Sequence, residues 1–260
     1  MRIRFLAVAL CLTAFTLITS RAEAQNTGNG EIAAVFWKPT PELLIQSGSI
    51  SGATGVNTPV DFVSEFGIEN AWFKGFRGSL GNKQKLNFSH IPVTYDASTT
   101  IARTIVFRGQ TIRVGAPATA KIKWDLWRFG YEWDFVSTQK AFVGIIADLK
   151  YNHLTASIDS PVLTKTAETD QKAPVPTVGA AFRVFPVNML SIGGEFSGLK
   201  INRGTFEAKF FDLNVDGTVY FGKRLGVQAG YRAVRVEYTI DNDTGDLKLK
   251  GPWLGGLLRF

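Results

Sequence analysis

The chain has 260 residues, of which 45% are hydrophobic and 12% aromatic, and its formal net charge is +7 at pH 7. This basic excess is modest and spread along the chain, so the charge pattern does not indicate a partner made of nucleic acid. Cys11 is the only cysteine. A disulfide within the chain is therefore excluded, and thiol chemistry is excluded from everything that follows Cys11.

Residues 1–24 have the pattern of a signal peptide. Arg2 and Arg4 precede an apolar run at 5–18, and Ala22-Glu23-Ala24 fits a small-residue cleavage site. We predict cleavage before Gln25, which leaves one domain at 25–260 with about 236 residues and a net charge of about +5. The apolar run is too short for a membrane-spanning helix.

The rest of the chain predicts an all-β domain, because apolar runs with a helical period are missing. Apolar and polar side chains alternate along the predicted strands, and turn residues separate one strand from the next. In chain order they are 31–37 with 43–50 as a candidate continuation, 70–80, 85–96, 120–135, 141–158, 175–185, 190–201, 206–221, 225–240 and 247–260.

Short turns alternate with longer loops along this series. The long loops are predicted near 51–67, 97–118 and 159–172, and the second is expected to hold a small hairpin at 101–114. Short turns on one side and long loops on the other are typical of transmembrane β-barrels of the bacterial outer membrane. The sequence predicts a closed antiparallel barrel of ten strands, with eight or twelve as alternatives.

The two faces of each strand exchange character part-way along it. In 206–221, for example, one face changes from Glu207 and Lys209 to an apolar run that starts at Phe211, while the opposite face becomes acidic. The pattern is explained if side chains point alternately outward and inward along the whole strand, and the outer face of the strand passes from water into lipid. Aromatic residues mark both edges of the apolar belt: Trp127, Tyr151, Phe211 and Tyr231 above, and Trp133, Phe135, Phe221 and Phe260 below.

The inward face at membrane depth carries seven basic and six acidic side chains. They are Arg77, Lys85, Arg128, Glu132, Asp134, Asp148, Lys150, Arg183, Glu195, Asp212, Asp216, Arg232 and Arg259. Charges inside a narrow lumen must be paired or hydrated. The near balance of signs predicts a salt-bridge network that fills the barrel, and a narrow diffusion channel through the same layer is the alternative.

Above the charged layer the inward face becomes apolar. The candidates for this layer are Ile122, Trp124, Leu126, Leu154, Phe206, Phe210, Val234, Val236 and Leu249. One interpretation is a hydrophobic core that caps the barrel. The other is a chamber that binds or passes a small hydrophobic molecule.

The signal peptide, the two-residue alternation and the ending Trp253-Leu-Gly-Gly-Leu-Leu-Arg-Phe260 resemble the small outer-membrane β-barrel proteins of Gram-negative bacteria. This resemblance implies a place in the outer membrane, contact with its lipid and lipopolysaccharide, and recognition of Phe260 by the barrel-assembly machinery. We expect no cofactor, no metal and no nucleic-acid partner.

Some outer-membrane barrels are enzymes, so the histidines need a separate assessment. His153 and Thr155 lie on adjacent outward positions and are similar to the His-x-Ser pair of the lipid A deacylases. The hydroxyl belongs to threonine, and the sequence names no carboxylate that would orient the base. The Asp/His motifs of the ten-stranded omptin proteases are not visible. A non-enzymatic protein is predicted, with a lipid hydrolase using His153 and Thr155 as the alternative.

Overall fold

The computed structural model describes residues 29–46, 59–163, 166–203, 206–240 and 243–260, and it leaves out the side chains of Arg203, Phe206 and Ile240. The predicted signal peptide lies outside these ranges. The elements are β1 (Gly30–Trp37), β2 (Thr40–Gln46), β3 (Val60–Asp61), α1 (Phe62–Phe66), β4 (Phe73–Gly81), β5 (Gln84–Thr100), β6 (Ile105–Phe107), β7 (Gln110–Ile112), β8 (Pro117–Ser137), β9 (Ala141–Asp159), β10 (Ala167–Val187), β11 (Leu190–Arg203), β12 (Phe206–Phe221), β13 (Leu225–Ile240) and β14 (Asp243–Arg259).

The long strands form a closed antiparallel barrel. Neighbours pair in the order β1-β4-β5-β8-β9-β10-β11-β12-β13-β14, and β14 pairs back onto β1. β2 follows β1 after the break at Lys38-Pro39 and pairs with the upper part of β14, so the two segments share one place in the wall. The predicted ten-stranded barrel is confirmed.

The outer wall is apolar over the lower half of the barrel. Large hydrophobic side chains remain exposed there on strand after strand, among them Phe36, Phe76, Phe129, Phe135, Ile145, Phe182, Ile192, Val215, Phe221, Val227, Leu254 and Leu258. A water-soluble protein rarely leaves so large a continuous apolar surface uncovered. The belt therefore fits the hydrocarbon layer of a membrane.

Above this belt the wall divides into two sheets. Here "above" means toward the end of the barrel that carries α1 and the β6–β7 hairpin. Pairing between β10 and β11 stops at Val178–Gly198, and pairing between β4 and β5 stops at Phe76–His90. One upper sheet contains β5, β8, β9 and β10, and the other contains β11 to β14 with β2 and β3. Their inner faces enclose a hydrophobic core, as in a β-sandwich.

Helix α1 and the β6–β7 hairpin cover this core. The Asp61 carboxylate accepts a hydrogen bond from the Val63 amide at 3.0 Å and caps the helix, which ends at Gly67 with φ of 67°. Phe62 packs edge-on against Phe107 of the hairpin, with ring centroids 5.7 Å apart. Across the described ranges, no helix is both long and apolar enough to cross a membrane.

The structure differs from the predicted loops in length. β5 continues to Thr100, β9 continues to Asp159 and β10 begins at Ala167, so half of the predicted loop at 159–172 is strand. Its polar residues alternate, and their backbone pairs with β9 from Ala167–Ile158 onward, which composition alone did not indicate. The described end of the predicted loop at 51–67 contains β3 and α1.

Candidate functional site

The charged lumen begins near the short-turn end of the barrel with a buried three-residue cluster. Lys85 of β5 lies 2.8 Å from Glu132 and 2.7 Å from Asp134, both on β8. The ammonium group also lies 3.4 Å from the centre of the Phe142 ring. Because two carboxylates and an aromatic face surround one cation, its desolvation is compensated on several sides.

A second cluster crosses the lumen at mid-height. Arg128 of β8 contacts Asp148 at 3.0 Å and Glu195 at 2.6 Å, so it connects β8 to both β9 and β11. Lys150 of β9 lies 2.6 Å from Asp212 of β12 and donates to the Ser197 hydroxyl at 2.7 Å. Apart from Arg128–Asp148, these contacts join strands that are not neighbours in the wall. They fix opposite sides of the lumen to one another.

Three more arginines extend the lumen network, and each lies near a carboxylate of β12. Arg232 lies 2.9 Å from Asp212, and Arg183 lies 3.0 Å from Asp216. Arg77 donates to the Gln228 amide oxygen at 2.9 Å and lies 3.9 Å from Asp216. The structure thus places every charge of the predicted network in an ion pair with another inward residue.

Neutral polar residues also take part, and the sequence did not identify them. Gln228 donates to the Thr218 hydroxyl at 3.1 Å, and the Trp253 indole donates to Asn214 at 2.7 Å. Both contacts join side chains from different strands. Polar residues of this kind satisfy lone pairs that the ion pairs leave open, and only the three-dimensional register reveals which ones meet.

A cavity of about 160 Å³ lies within the charged layer. Its lining runs from Glu31 and Arg259 at the short-turn end to Trp37, Ile91 and Trp253 at the base of the apolar core. The cavity therefore ends where the interior becomes apolar. Its polar walls suit water or small polar solutes.

The predicted chamber residues lie in the packed core above. Ile122, Trp124, Leu126, Leu154, Phe210, Val234 and Leu249 are buried there, and Val236 packs against them half-buried. The side chain of Phe206 is outside the described part. Burial raises the pKa of Tyr238, which lies against this core, to about 12. In the described part this layer is filled by side chains of the two sheets, α1 and the hairpin.

The wall is open beside this core, between β10 and β11. Residues 167–177 of β10 pair only with β9, and residues 199–203 of β11 pair only with β12. We call this gap the β10–β11 opening. Pro174 and Pro176, which lack amide hydrogens, stand on its β10 edge. An unpaired edge that carries prolines is protected from pairing with other strands.

Half-buried apolar side chains lie just inside the β10–β11 opening. Val175 and Leu199 face inward from its two edges. Thr177, one inward position below Val175, is 2% exposed, and its hydroxyl has no hydrogen-bond partner in the described part of the chain. On the outer side, Val178 is 69% exposed and Phe196 52%. The opening therefore leads from the lipid-facing belt to Val175 and Leu199, and we call the space between these two side chains the groove.

Both histidines lie on the outer wall. His153 Nε2 is 2.9 Å from Asp170 Oδ1, so a carboxylate does contact this histidine. The sequence did not identify it, because Asp170 lies in the segment that was predicted to be a loop. Thr155 forms no hydrogen bond with His153 among the described contacts. His90 stacks on Trp127 at 3.9 Å and lies 3.4 Å from Asp125. Within the described ranges, no group of three His, Cys, Asp or Glu side chains could hold a metal.

Comparison with known proteins supports the architecture alone. No protein-family model and no curated protein matches the chain. The outer-membrane protease OmpT from Escherichia coli has a similar structure, with a TM-score of 0.59, 10% sequence identity, and coverage of 90% of this chain and 98% of OmpT. The Pseudomonas putida toluene transporter TodX is more distant, with a TM-score of 0.38, 7% identity, and coverage of 94% and 93%. So is Ail of Yersinia pestis, with a TM-score of 0.37, 10% identity, and coverage of 89% and 99%.

The closed ring of ten antiparallel strands, the apolar belt and the likeness to OmpT agree with one another. The chain has the fold of the Gram-negative outer-membrane β-barrel proteins.

Proposed function

We propose that this protein is a non-enzymatic outer-membrane barrel that binds a small apolar molecule or an acyl chain in the β10–β11 opening. The observation that carries the proposal is the unpaired wall at Val178–Gly198, with Val175 and Leu199 half-buried behind it. A hydrophobic guest in the membrane can reach this groove sideways, without crossing water. Covering the groove removes apolar surface from solvent, which favours binding.

The lumen supports binding at the wall over transport of water-soluble solutes. Cross-lumen ion pairs such as Lys150–Asp212 narrow the lower interior around its cavity, and the apolar core around Trp124 lies above them. A small polar solute that enters the cavity from below meets an apolar layer above it. Apolar constrictions of this kind oppose the passage of ions.

The geometry of His153 supports a non-enzymatic role. A base that activates a hydroxyl must lie within hydrogen-bond reach of it. The Nε2 atom of His153 is instead directed at Asp170, and Thr155 is not hydrogen-bonded to the ring. Neither histidine faces the groove or the lumen. Acid–base catalysis in the groove or the lumen would therefore have to proceed without a histidine.

A fluorescence-quenching experiment tests the proposal. In the Cys11→Ser background the chain has no other cysteine. Val175→Cys is labelled with a thiol-reactive fluorophore, and the barrel in phosphatidylcholine nanodiscs is titrated with bromododecane, whose bromine quenches nearby fluorophores. We expect strong, saturable quenching at position 175, because the alkane occupies the groove.

Val236→Cys is the matched control. Val236 is also an inward, half-buried valine against the same core, but its strand pairs on both sides, with Phe210 and with Leu247. We expect little quenching at this position, because the wall there is continuous. Equal quenching at the two positions, or none at position 175, would refute a binding site at the opening.

A further inference from the structure

Three lysines lie at the upper edge of the apolar belt on β10, β11 and β12, and the first two of them stand on the two edges of the β10–β11 opening. Lys172 lies two residues above Pro174 on β10, Lys200 two residues above Gly198 on β11, and Lys209 two residues above Phe211 on β12. Each is the next outward position above the end of the belt on its strand. We call Lys172, Lys200 and Lys209 the lysine cluster.

We infer that the lysine cluster and the β10–β11 opening together form a binding site for an anionic phosphate-bearing lipid of the outer leaflet, with the phosphate on the lysines and an acyl chain in the groove. This inference rests on the proposed function and adds the chemical class of the ligand. The headgroup of such a lipid lies at the level where the apolar belt ends.

One of the three charges of the cluster, that of Lys200, lacks a counterion in the described residues. Lys200 and Lys209 are directly opposite each other on β11 and β12. Like charges in this arrangement repel and destabilise a sheet. Lys209 is paired with Glu237 at 3.1 Å and Lys172 with Asp170 at 3.8 Å, whereas Lys200 has no ion pair in the described residues. An anion placed between the lysines would relieve the repulsion.

The groove provides the second half of the site. Thr177 is a buried hydroxyl without a partner in the described part, and it lies at the base of the opening beneath Val175. A buried hydroxyl that donates no hydrogen bond is costly unless a ligand or water accepts one. The ester oxygens of a lipid lie between its phosphate and its acyl chains, so one lipid can meet the lysines, the hydroxyl and the apolar walls together.

Lysine suits this ligand because its ammonium group acts as a compact point charge, which a phosphate can approach from several directions. A basic cluster beside a membrane attracts anionic lipids in the same way. The pair Lys38 and Lys74 lies elsewhere on the belt edge, on the β1 and β4 side. There β1 and β4 stay paired up to Trp37–Phe73, and Lys74 stands beside the separation of β4 from β5, four strands away from β10.

The experiment uses the fluorophore at Val175→Cys with brominated lipids in place of bromododecane. Nanodiscs of phosphatidylcholine receive increasing fractions of brominated phosphatidylglycerol or brominated phosphatidylcholine. We expect phosphatidylglycerol to occupy the site at least about fivefold more favourably at low salt, the factor expected for one lysine near a membrane surface. Lys172→Gln/Lys200→Gln should abolish this preference, and Lys38→Gln/Lys74→Gln should retain it.

The outcomes separate the two proposals. Equal quenching by both lipids, or a preference that survives Lys172→Gln/Lys200→Gln, would overturn the phosphate site and leave the groove in place. If neither lipid quenches the label, the groove itself is refuted. Free inorganic phosphate should reduce the preference no more than chloride of equal ionic strength. A larger reduction would identify the ligand as free phosphate and overturn the lipid assignment.

Stability gives an independent readout. In pure phosphatidylcholine, Lys200→Gln should raise the unfolding temperature, because it removes the repulsion from Lys209. With phosphatidylglycerol present, the wild-type chain should gain more stability than the variant, since only the wild type keeps the full cluster. A lower unfolding temperature for Lys200→Gln in phosphatidylcholine would contradict the unbalanced charge on which the inference depends.

Discussion

Lys150 Nζ lies 2.6 Å from Asp212 Oδ2 and so connects β9 to β12 across the lumen. Asp212 also forms an ion pair with Arg232, and the side chains of Lys150 and Asp212 are both buried. Asp212 and Asp148 of the mid-lumen cluster thus each contact two cations, whereas Glu195 contacts Arg128 alone among the cations of the described ranges. Removal of Asp212 should therefore harm the barrel more than removal of Lys150.

We expect Asp212→Asn to lower the free energy of unfolding by about 3–5 kcal/mol, because it leaves Lys150 and Arg232 buried without their shared counterion. Lys150→Met should cost less, since Asp212 keeps Arg232. The temperature at which the barrel loses its heat-modifiable migration on gels would rank the variants. The interpretation would be wrong if Lys150→Met destabilised the barrel as much as Asp212→Asn.

The wild-type protein should give no discrete conductance in planar lipid bilayers. In the described part of the barrel, a solute crossing the lumen would have to pass the ion pairs and then the apolar core around Trp124, which opposes the passage of ions. Single-channel recording at moderate salt, with a general porin as the positive control, checks this. Reproducible current steps from the purified barrel would instead favour the narrow diffusion channel.

Glu42 should make the attachment of β2 to β14 dependent on pH. Hydrogen bonds from Lys250 and Lys248 lower the pKa of Glu42 below its ordinary value. A lowered folded-state pKa means that the stabilisation is present above the unfolded-state pKa, near 4.5, and is lost as the pH falls through the folded-state value. Because the pair is exposed, its contribution is below about 1 kcal/mol.

Glu42→Gln tests this dependence. Limited proteolysis of the β2 segment should be faster for the variant than for the wild type at pH 7, and the difference should shrink as the pH falls below 4.5 and folded-state Glu42 takes up a proton. Lys121→Gln, which removes an exposed pair with Asp96 on another strand, is the control. A difference between Glu42→Gln and wild type that does not change with pH would exclude titration of Glu42 as the cause.

His153→Ala should leave the acylation of lipid A unchanged. The ring is held by Asp170, and Thr155 is not its hydrogen-bond partner, so the outward pair lacks the arrangement of a nucleophile and its base. Mass spectrometry of lipid A from cells that produce either protein measures this. Deacylated lipid A that depends on both His153 and Thr155 would establish the hydrolase.

The barrel itself was predictable from the alternation of apolar and charged side chains along each strand. The alternation arises because one face of the strand meets lipid and the other faces the charged lumen. Arg128 and Glu132 had to face inward once Trp127 and Phe129 faced the membrane, and the structure has the four in these positions. Specific partners were not predictable. That Arg128 meets Glu195, 67 positions along the chain, depends on the register of every strand between them.

The β10–β11 opening was also beyond the sequence pattern. Residues 167–172 are polar and were assigned to a loop, whereas their backbone pairs with β9 and leaves the other edge free. Whether a strand has one neighbour or two is decided by the shape of the whole sheet. Pro174 and Pro176 were the available local signal, because prolines concentrate on strands with an unpaired edge.

The seam of the barrel has a consequence for its assembly. β1 and β2 both pair with β14, and the Trp37 indole donates to the Gly251 carbonyl at 3.2 Å across 214 positions of sequence. The ring therefore closes only between segments that are far apart in sequence. Any sheet that the other strands form before β14 joins has two free edges, which invite pairing with other chains. We expect such a sheet to need shielding before the ring closes, and a chain interrupted before β14 to be unable to close it.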